Sequence, residues 1–461
     1  MKARILQTLT DLRTYALTKS CEIALHYHEE DSALMRFANS AVSLNTSEHL
    51  IRLEITAYAG RKRASYEMIT DLNQASEMRQ GIDIAAEMVE HAQPLAYDPT
   101  VPVFTESFAD ESCCDAALAK VDGAGKLAMV NAAATGLETQ QLKLSGIFSS
   151  SVNTVAQINT RSEHTQFFRT TDAQVTVVLA HNTLKWEVQA EQSAQRESDL
   201  DSQALREDLA FLVEQYTHAP ADQLSLGHYD VVFGPAATAD LLDFMNWIGF
   251  SGGMARRGYS CLREDQVGQN VLSDKVTLVD DPSRRETFPY RRDLTGIARG
   301  PFPLFERGVF AGFTWAQDDA DEFGTRPTGH TVGHKSLVLY GGSEDVGSLA
   351  ALAAAPRDKD VLYIPFLHYM NIVNPTKGLV TGSSRFGALL LKQDGSVAIP
   401  YNVRLTQSVL DIFGDKVAWL SRQTVPYNTS HSYGARNPTA IIVPRFVRVN
   451  DLEISHANAS F

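Results

Sequence analysis

Residues 231–258 read VVFGPAATADLLDFMNWIGFSGGMARRG, and they carry the clearest structural signal of the chain. Their pattern predicts a strand, a turn, a buried helix and a glycine-rich exit. A zinc site needs imidazole or thiolate ligands, and a hydrolytic one also needs a carboxylate base beside the bound water. Between Leu241 and Gly253 the sequence has one acidic residue, Asp243, and no His, Glu or Cys. The predicted helix therefore does not bind zinc by itself.

The composition around this stretch is that of a large globular protein. A chain of 461 residues is too long for one ordinary core, so two domains are expected. The hydrophobic content of 44% and the charged content of 21% are typical of soluble proteins. No apolar run approaches the roughly 20 residues of a membrane span. We therefore expect no membrane partner.

The N-terminus predicts an amphipathic helix and not a signal peptide, because apolar residues recur at helical spacing with polar residues between them. The four cysteines, of which Cys113 and Cys114 are adjacent, do not form a disulfide framework. Both features favour a cytoplasmic location. The apolar residues of the helix are Ile5, Leu6, Leu9, Leu12, Ala16 and Leu17.

The net charge of -14 argues against direct nucleic-acid binding, which needs a basic surface. The basic clusters, such as Arg61–Arg63, are short, and we interpret them as solvated turns. The acidic run 318–322 is interpreted in the same way.

The chain divides into two predicted domains, 1–217 and 218–461, at a polar, proline-containing linker over 217–227. The first is mixed α/β and the second is β-rich, which gives an α+β fold. In the first domain, Ile51, Leu53, Ile55 and Ala57 alternate with polar residues and predict one buried strand face. The further elements expected there are strands over 22–28 and 50–58, helices over 71–91 and 110–121, a turn at 122–125, an antiparallel meander over 143–190 and a helix at 205–213.

Ordinary catalytic motifs are missing from the sequence. There is no GxxxxGK[ST] and no GxGxxG opening a helix, and Thr381–Gly387 reads as a turn between strands instead of a nucleophile elbow. His28-Glu29 begins like HExxH, but position 32 is Ser. His330 and His334 are four apart, so a metal pair is an alternative to ordinary polar packing. We expect tight packing at Gly249–Gly258 and a core position for His368.

Several blocks, taken in order, resemble the TldD/PmbA family, which is named for modulation of DNA gyrase and classed with metallopeptidases. The resemblance covers nearly the whole chain. It implies a two-domain fold with a β-rich metallopeptidase-type C-terminal domain. The blocks are Arg36–Ser40, the strand from Leu50 with Gly60–Arg63, Thr328–His330, Val380–Gly387, Asp394–Pro400 and Arg448–Ile454.

The resemblance also assigns roles to positions. In the TldD branch the helix carries HExxxH, and a C-terminal cysteine is the third zinc ligand. In this chain Asp243 falls on the first His, Phe244 on the Glu and Ile248 on the second His, while Tyr433 lies near the cysteine position. Zinc ligands and general base are thus missing, as in the PmbA/TldE branch.

This pattern implies a non-catalytic subunit with no cofactor of its own. Its partner is expected to be a TldD-like HExxxH subunit that carries zinc, and the substrate an unfolded or modified peptide. Two alternatives stay open: a self-sufficient metallopeptidase using His330 and His334, or a stand-alone binding or regulatory protein of the gyrase-modulator type. A homodimer of the isolated chain is also open. Asp243 needs a partner if buried, for which Arg256 or Arg257 is the candidate.

Overall fold

The computed structural model describes residues 1–430 and 436–461. The helices of this part of the chain are α1 (Lys2–Ala16), α2 (Ala75–His91), α3 (Gly123–Ala134), α4 (Ser202–His218), α5 (Pro235–Gly249), α6 (Gly252–Arg256), α7 (Gln317–Phe323), α8 (Leu349–Ala354) and α9 (Val409–Ile412). None of these helices is long and apolar enough to cross a membrane.

The strands of the first half are β1 (Glu22–Ala38), β2 (Ala41–Ala59), β3 (Lys62–Thr70), β4 (Phe108–Cys113), β5 (Leu142–Asn159), β6 (Ser162–His181) and β7 (Glu187–Ala194). Those of the second half are β8 (Ala221–Asp222), β9 (Gly227–Phe233), β10 (Leu278–Asp280), β11 (Phe302–Glu306), β12 (Val309–Phe310), β13 (Leu337–Leu339), β14 (Val361–Ile364), β15 (Phe366–Asn374), β16 (Leu379–Arg385), β17 (Leu389–Leu391), β18 (Val397–Pro400), β19 (Val403–Ser408), β20 (Val417–Leu420), β21 (Thr424–Asn428), β22 (Ala440–Pro444) and β23 (Val447–Ala457).

The first half is one mostly antiparallel sheet with the order β3-β2-β1-β5-β6-β4, and β7 also pairs with β6. Helices cover one face in two groups, because apolar residues of β1 alternate along that face. Leu25 and Tyr27 pack with α1 and α2, whereas Met35 and Phe37 pack with α3 and α4. Between the two groups lies a stretch of β1 without apolar cover.

The predicted face of β2 is confirmed, since Ile51, Leu53, Ile55 and Ala57 are all buried. The predicted helix over 110–121 is wrong, because Phe108–Cys113 pairs in parallel with β6 and so forms a strand. The predicted turn at 122–125 is also wrong. Asp122 caps α3 instead, and its carboxylate accepts a hydrogen bond from the Gly125 N–H at 2.8 Å. An Asp-Gly pair is as compatible with a helix start as with a turn.

The second half contains two sheets. The larger has the order β15-β16-β19-β23-β9-β14-β17-β18-β8, with β20 on β23, and the smaller has the order β12-β11-β10-β13-β22-β21. The α5 helix lies within their shared core, directly after the central strand β9. It starts at Pro235, where the missing N–H costs nothing. The predicted turn over 381–387 is wrong, since residues up to Arg385 belong to β16.

No sheet of the described residues crosses position 218, and the α+β class is confirmed. The boundary itself stays a prediction. The two halves are joined by a common core and by polar contacts, such as the Tyr216 hydroxyl donating to the Ala388 carbonyl at 2.9 Å. The first sheet and α5 therefore have a fixed position relative to each other. The interface between them is called the seam below.

Candidate functional site

The α5 helix places the three sequence-predicted positions at different depths. Ile248 is buried in the core of the second half, and Phe244 is partly buried against that core. Asp243 lies between core and surface, with its side chain 17% exposed. The helix is apolar on most sides because it fills the space between two sheets, so an acid there has to be neutralised.

Lys335 provides that neutralisation. Its Nζ lies 2.8 Å from Asp243 Oδ1, and the lysine side chain is 2% exposed. The expectation that Arg256 or Arg257 would pair with Asp243 is wrong. Both arginines lie beyond the helix end and pair with acids of their own, Arg256 with Glu264 at 2.7 Å and Arg257 with an acid of α7 at 2.9 Å.

The segment that carries Lys335 is fixed across α5 by side-chain amides. Asn246, one turn after Asp243, donates from Nδ2 to the Val332 carbonyl at 2.9 Å. From the other side, Asn437 donates to the Gly333 carbonyl at 2.9 Å. These two hydrogen bonds fix the segment just before Lys335, so the position of the lysine does not depend on the ion pair alone.

The two histidines of the metal alternative do not converge. His330 is buried, and its Nδ1 lies 3.0 Å from Asp280 Oδ2, while Asp280 also receives the Arg299 guanidinium at 2.9 Å. His334 stacks edge-on against Tyr290. Burial lowers the pKa of His334 to about 4, with Arg299 adding to the effect. Each imidazole thus has a separate packing role.

Three further groups meet at the seam around Asp243, and the sequence analysis did not single them out. Burial raises the pKa of Glu191, on β7, to about 8. Burial also raises the pKa of Asp240 well above its ordinary value, and the nearby charges of Glu191 and Asp243 add to it. Tyr427, on β21, lies beside all three acids and has its pKa raised by burial and by their charges. Glu191 is therefore protonated, and a neutral hydrogen-bond donor, up to about neutral pH, and the pKa of Asp240 is shifted in the same direction.

Tyr433 lies outside the described residues. The first described residue after that stretch, Arg436, is buried against the first sheet. Its Nη2 lies 2.5 Å from Asp172 Oδ2, its Nη1 donates to Ser149 at 2.7 Å, and its backbone N–H donates to Glu30 at 3.1 Å. The chain that follows Tyr433 is thus tied to the N-terminal sheet.

The remaining predictions are of packing. Gly252 and Gly253 allow close approach, because a Cβ would lie 2.2 Å from the Trp315 ring and 2.1 Å from the Asp319 carboxyl. His28 lies toward the seam, where its Nε2 is 3.2 Å from Asn153 Oδ1. His368 is half-buried beside Arg385 instead of in the core, since it is on the edge strand β15.

A zinc ion does not fit the α5 positions. Phe244 and Ile248 have no lone pair to donate, and the Asp243 carboxylate faces an ammonium group at 2.8 Å. Zinc sites in proteins use three or four such donors. In the described part of the chain a group of three potential ligands occurs elsewhere, at Glu29, Asp31 and His49 on the first sheet.

A sequence signal existed for part of this site. Asp240 and Asp243 are three residues apart in an apolar helix, so they share a face. Such a pair indicates either a partner cation or raised pKa values. Glu191, Lys335 and Tyr427 are distant in sequence, and without the fold nothing joined them to α5.

A family model described as PmbA/TldA metallopeptidase C-terminal domain matches residues 226–456. Among solved structures, TldE from Thermococcus kodakarensis superposes with a TM-score of 0.81 at 16% identity, covering 97% of this chain and 100% of that one. A putative modulator of a DNA gyrase from Thermotoga maritima gives 0.74 at 15% identity, covering 97% and 99%. One from Bacteroides thetaiotaomicron gives 0.73 at 15%, covering 96% and 98%. Curated proteins gave no match. At these identities the structures support the fold alone.

Proposed function

The chain belongs to the PmbA/TldD family, and from this premise we propose that it is the non-catalytic, TldE-like subunit of a two-subunit zinc metallopeptidase. The single observation that carries the proposal is the ion pair between Asp243 and Lys335. At the helix position where a working subunit would place a zinc ligand, this chain has an acid whose charge is already used. This helix has no ligand set for a metal that would activate water.

Zinc and the general base would then belong to a TldD-like HExxxH partner, and this chain would complete the chamber in which an unfolded or modified peptide is held. The pKa of Glu191, raised to about 8 by burial, supports this role, because a protonated acid can donate a hydrogen bond to a peptide carbonyl. Such contacts bind any backbone irrespective of its side chains. The complex would work in the cytoplasm.

The test is co-expression of the chain with an HExxxH homologue, followed by cleavage assays on an unfolded peptide. We expect the two chains to co-purify, and the mixture to cleave at least tenfold faster than either chain alone. The chain with Asp243 and Lys335 both replaced by leucine should support cleavage as well as the wild type, because neither residue takes part in the chemistry. Chelator-sensitive cleavage by this chain alone would contradict the proposal.

The relocated-metal alternative gains nothing from the geometry. His330 Nδ1 faces the Asp280 carboxylate at 3.0 Å, whereas His334 lies against Tyr290, so the two imidazoles have separate partners. A stand-alone regulatory role has no specific contact in its favour, although two of the similar structures bear the gyrase-modulator name. Failure to co-purify, with no cleavage by any mixture, would favour that role.

A further inference from the structure

One face of α5 is accessible, although the rest of the helix is buried. Asp240, Asp243, Phe244 and Trp247 recur at helical spacing, so they form a continuous stripe along that face. Trp247 is 46% exposed, and the other three residues are partly buried. The remaining residues of the range 241–249 are buried in the core. These four residues are called the α5 stripe below.

The N-terminal end of the α5 stripe lies beside a buried tyrosine. Tyr427 is 9% exposed, and its strand β21 packs against both α5 and β7. The next residue, Asn428, donates from Nδ2 to the Ala173 carbonyl at 3.4 Å, which holds β21 against the first sheet. The Tyr427 hydroxyl forms no hydrogen bond with the described residues. Because a buried hydroxyl is normally hydrogen-bonded, this one is available to a bound group.

Asp240, at the same end of the α5 stripe, has no counter-charge. It forms neither an ion pair nor a hydrogen bond with the described residues, whereas Glu191 accepts a hydrogen bond from Gln189 at 3.2 Å. Burial raises the pKa of Asp240, and the charges of Glu191 and Asp243 raise it further. Both of these charges are negative. A cation is therefore the group that this end of the stripe would stabilise.

The chain does not supply that cation from its described residues. Lysines and arginines on neighbouring segments pair with acids other than Asp240 and Glu191. These pairs are Lys335 with Asp243 at 2.8 Å, Arg385 with Glu187 at 2.9 Å, and Arg445 with Asp208. Arg445 is near enough to act on Tyr363 together with Glu191, yet its charge is taken up by the acid of α4.

A metal ion does not fit the acids beside Tyr427. The described chain brings three potential ligand atoms within 4.8 Å of one another at one place, the group that includes His49 on β2. The carboxyl groups of Asp240, Asp243 and Glu191 are therefore too widely spaced to share one ion. An organic cation on a flexible side chain does not need such convergence.

The α5 stripe suits a basic side chain in length and in chemistry. The helical rise places Phe244 about 6 Å and Trp247 about 10 Å from Asp240 along the axis. An extended lysine or arginine side chain can lie along this path, with its aliphatic part on Phe244 and its charged end at Asp240. The ring of Trp247, at the exposed end, can contact the backbone of the same peptide. Guanidinium groups also pack well on aromatic rings.

We propose that the α5 stripe binds an arginine or lysine side chain of an extended peptide, whose cation pairs with Asp240 and donates to the Tyr427 hydroxyl. The assignment rests on the proposed function, because the ligand is the peptide held in the chamber, and it adds the side chain that the chamber selects. Asp243 stays paired with Lys335. The acid one turn before it contacts the substrate.

The test uses the isolated full chain and an end-blocked peptide of Ser, Thr and Val with one central arginine and a neutral fluorophore. A matched peptide has citrulline, which keeps the shape of arginine without its charge. Fluorescence anisotropy should show the arginine peptide binding at least tenfold more tightly. Asp240→Asn should lower this preference at least fivefold, and Tyr427→Phe should lower it about twofold.

The control for general charge attraction is Glu453→Gln, at an exposed position of β23. It removes the same charge as Asp240→Asn from a chain of net charge -14, and it should keep the preference for arginine. A peptide also carries a cation at its N-terminus. The citrulline peptide with a free N-terminal amine should therefore bind no more tightly than its blocked form.

Three outcomes would each overturn the proposal. They are equal binding of the arginine and citrulline peptides, a preference that survives Asp240→Asn, and a free N-terminal amine that binds as tightly as arginine. Loss of peptide binding by the isolated chain would refute the site and leave co-purification and cleavage by the mixture untouched. Failed cleavage by the mixture would leave the arginine preference of the isolated chain in place.

Should Asp240→Asn fail to fold, proton release by the wild type replaces it. A cation that pairs with Asp240 lowers the pKa that burial has raised, so binding expels protons. Calorimetry in buffers of different ionisation enthalpy should detect this release with the arginine peptide and not with the citrulline peptide. Equal proton release with the two peptides would refute the site.

Discussion

Lys335 and Lys126 are equally buried, each 3% exposed, yet their surroundings differ. The Nζ of Lys335 lies 2.8 Å from Asp243 Oδ1, and the segment that carries Lys335 is held by an amide hydrogen bond from α5. Lys126 faces an aromatic ring and a cavity, and it forms no ion pair with the described residues, although Asp31 and Glu48 line the same cavity. A buried charge with a fixed partner is part of the fold. A buried charge without one lowers the stability of the fold.

The same contrast separates the two faces of the first sheet. On the seam side, positions that resemble a metal site are filled by groups that satisfy one another. On the helix side, a gap between two helix groups leaves a cavity with an unpaired ammonium group. The ion pair of Asp243 with Lys335 on the seam side thus has no counterpart in the cavity, where Lys126 forms none with the described residues.

Replacing Lys335 by methionine has the largest expected effect on stability, because it leaves the Asp243 carboxylate unpaired. Breaking a buried ion pair costs about 3–5 kcal/mol, and the partial exposure of Asp243 reduces this to about 2–3 kcal/mol. Denaturant unfolding of the full chain measures the loss.

The matched control is Arg256→Met, which removes an exposed ion pair with Glu264 and should change the free energy of unfolding by less than about 0.5 kcal/mol. Replacing Lys335 and Asp243 together should restore most of the stability. If Lys335→Met unfolds at the wild-type denaturant concentration, the ion pair does not fix α5.

Replacing Lys126 by methionine should have the opposite sign. The variant keeps the aliphatic volume and removes a charge without a partner, so the free energy of unfolding should rise by about 1 kcal/mol. Lys120→Met should leave it unchanged within about 0.5 kcal/mol. A destabilised Lys126→Met chain would mean that the ammonium group has an internal partner, and the contrast with Lys335 would fail.

The pH dependence of stability gives a further test, at Glu191 in the seam. Glu191 has a folded pKa of about 8 against an ordinary 4.5, so the folded chain binds more protons than the unfolded chain between these values. The free energy of unfolding should fall as the pH rises from about 5 to 8. Glu191→Gln should reduce this fall by about 1–2 kcal/mol.

His334 affects the stability of the fold at acidic pH. Its folded pKa of about 4 lies below the ordinary 6.5, so the unfolded chain binds more protons in that range. Stability should therefore fall as the pH drops from 6.5 to 4, and His334→Gln should reduce this fall. Thermal unfolding across pH measures the fall in stability on both the acidic and the alkaline side. If both falls are unchanged in the variants, Glu191 and His334 are not their cause.

Much of the fold could be predicted because the periodicity was strong. The β2 alternation from Ile51 to Ala57 and the apolar α4 pattern gave elements that the structure confirms. Segments decided by long-range pairing were predicted wrongly. Phe108–Cys113 became a strand through β6, some sixty residues later, and no local pattern encodes such a neighbour.

The site divides in the same way. The lack of ligands on α5 was visible in the sequence, since it depends on Asp243, Phe244 and Ile248 alone. The partner of Asp243 was not, because Lys335 reaches α5 through a segment about ninety residues away. Lys126 gave no signal either, since a lysine in a helix is ordinarily exposed, and its burial results from the packing of α3 on the sheet.

The zinc content of the purified subunits tests the central claim, that α5 of this chain holds an ion pair in place of a metal. We predict that metal analysis finds no tightly bound zinc in this chain alone, and one zinc per heterodimer after mixing with an HExxxH homologue, lost when the histidines of the homologue are replaced. One tightly bound zinc per chain in the isolated protein, released together with cleavage activity by a chelator, would contradict the account.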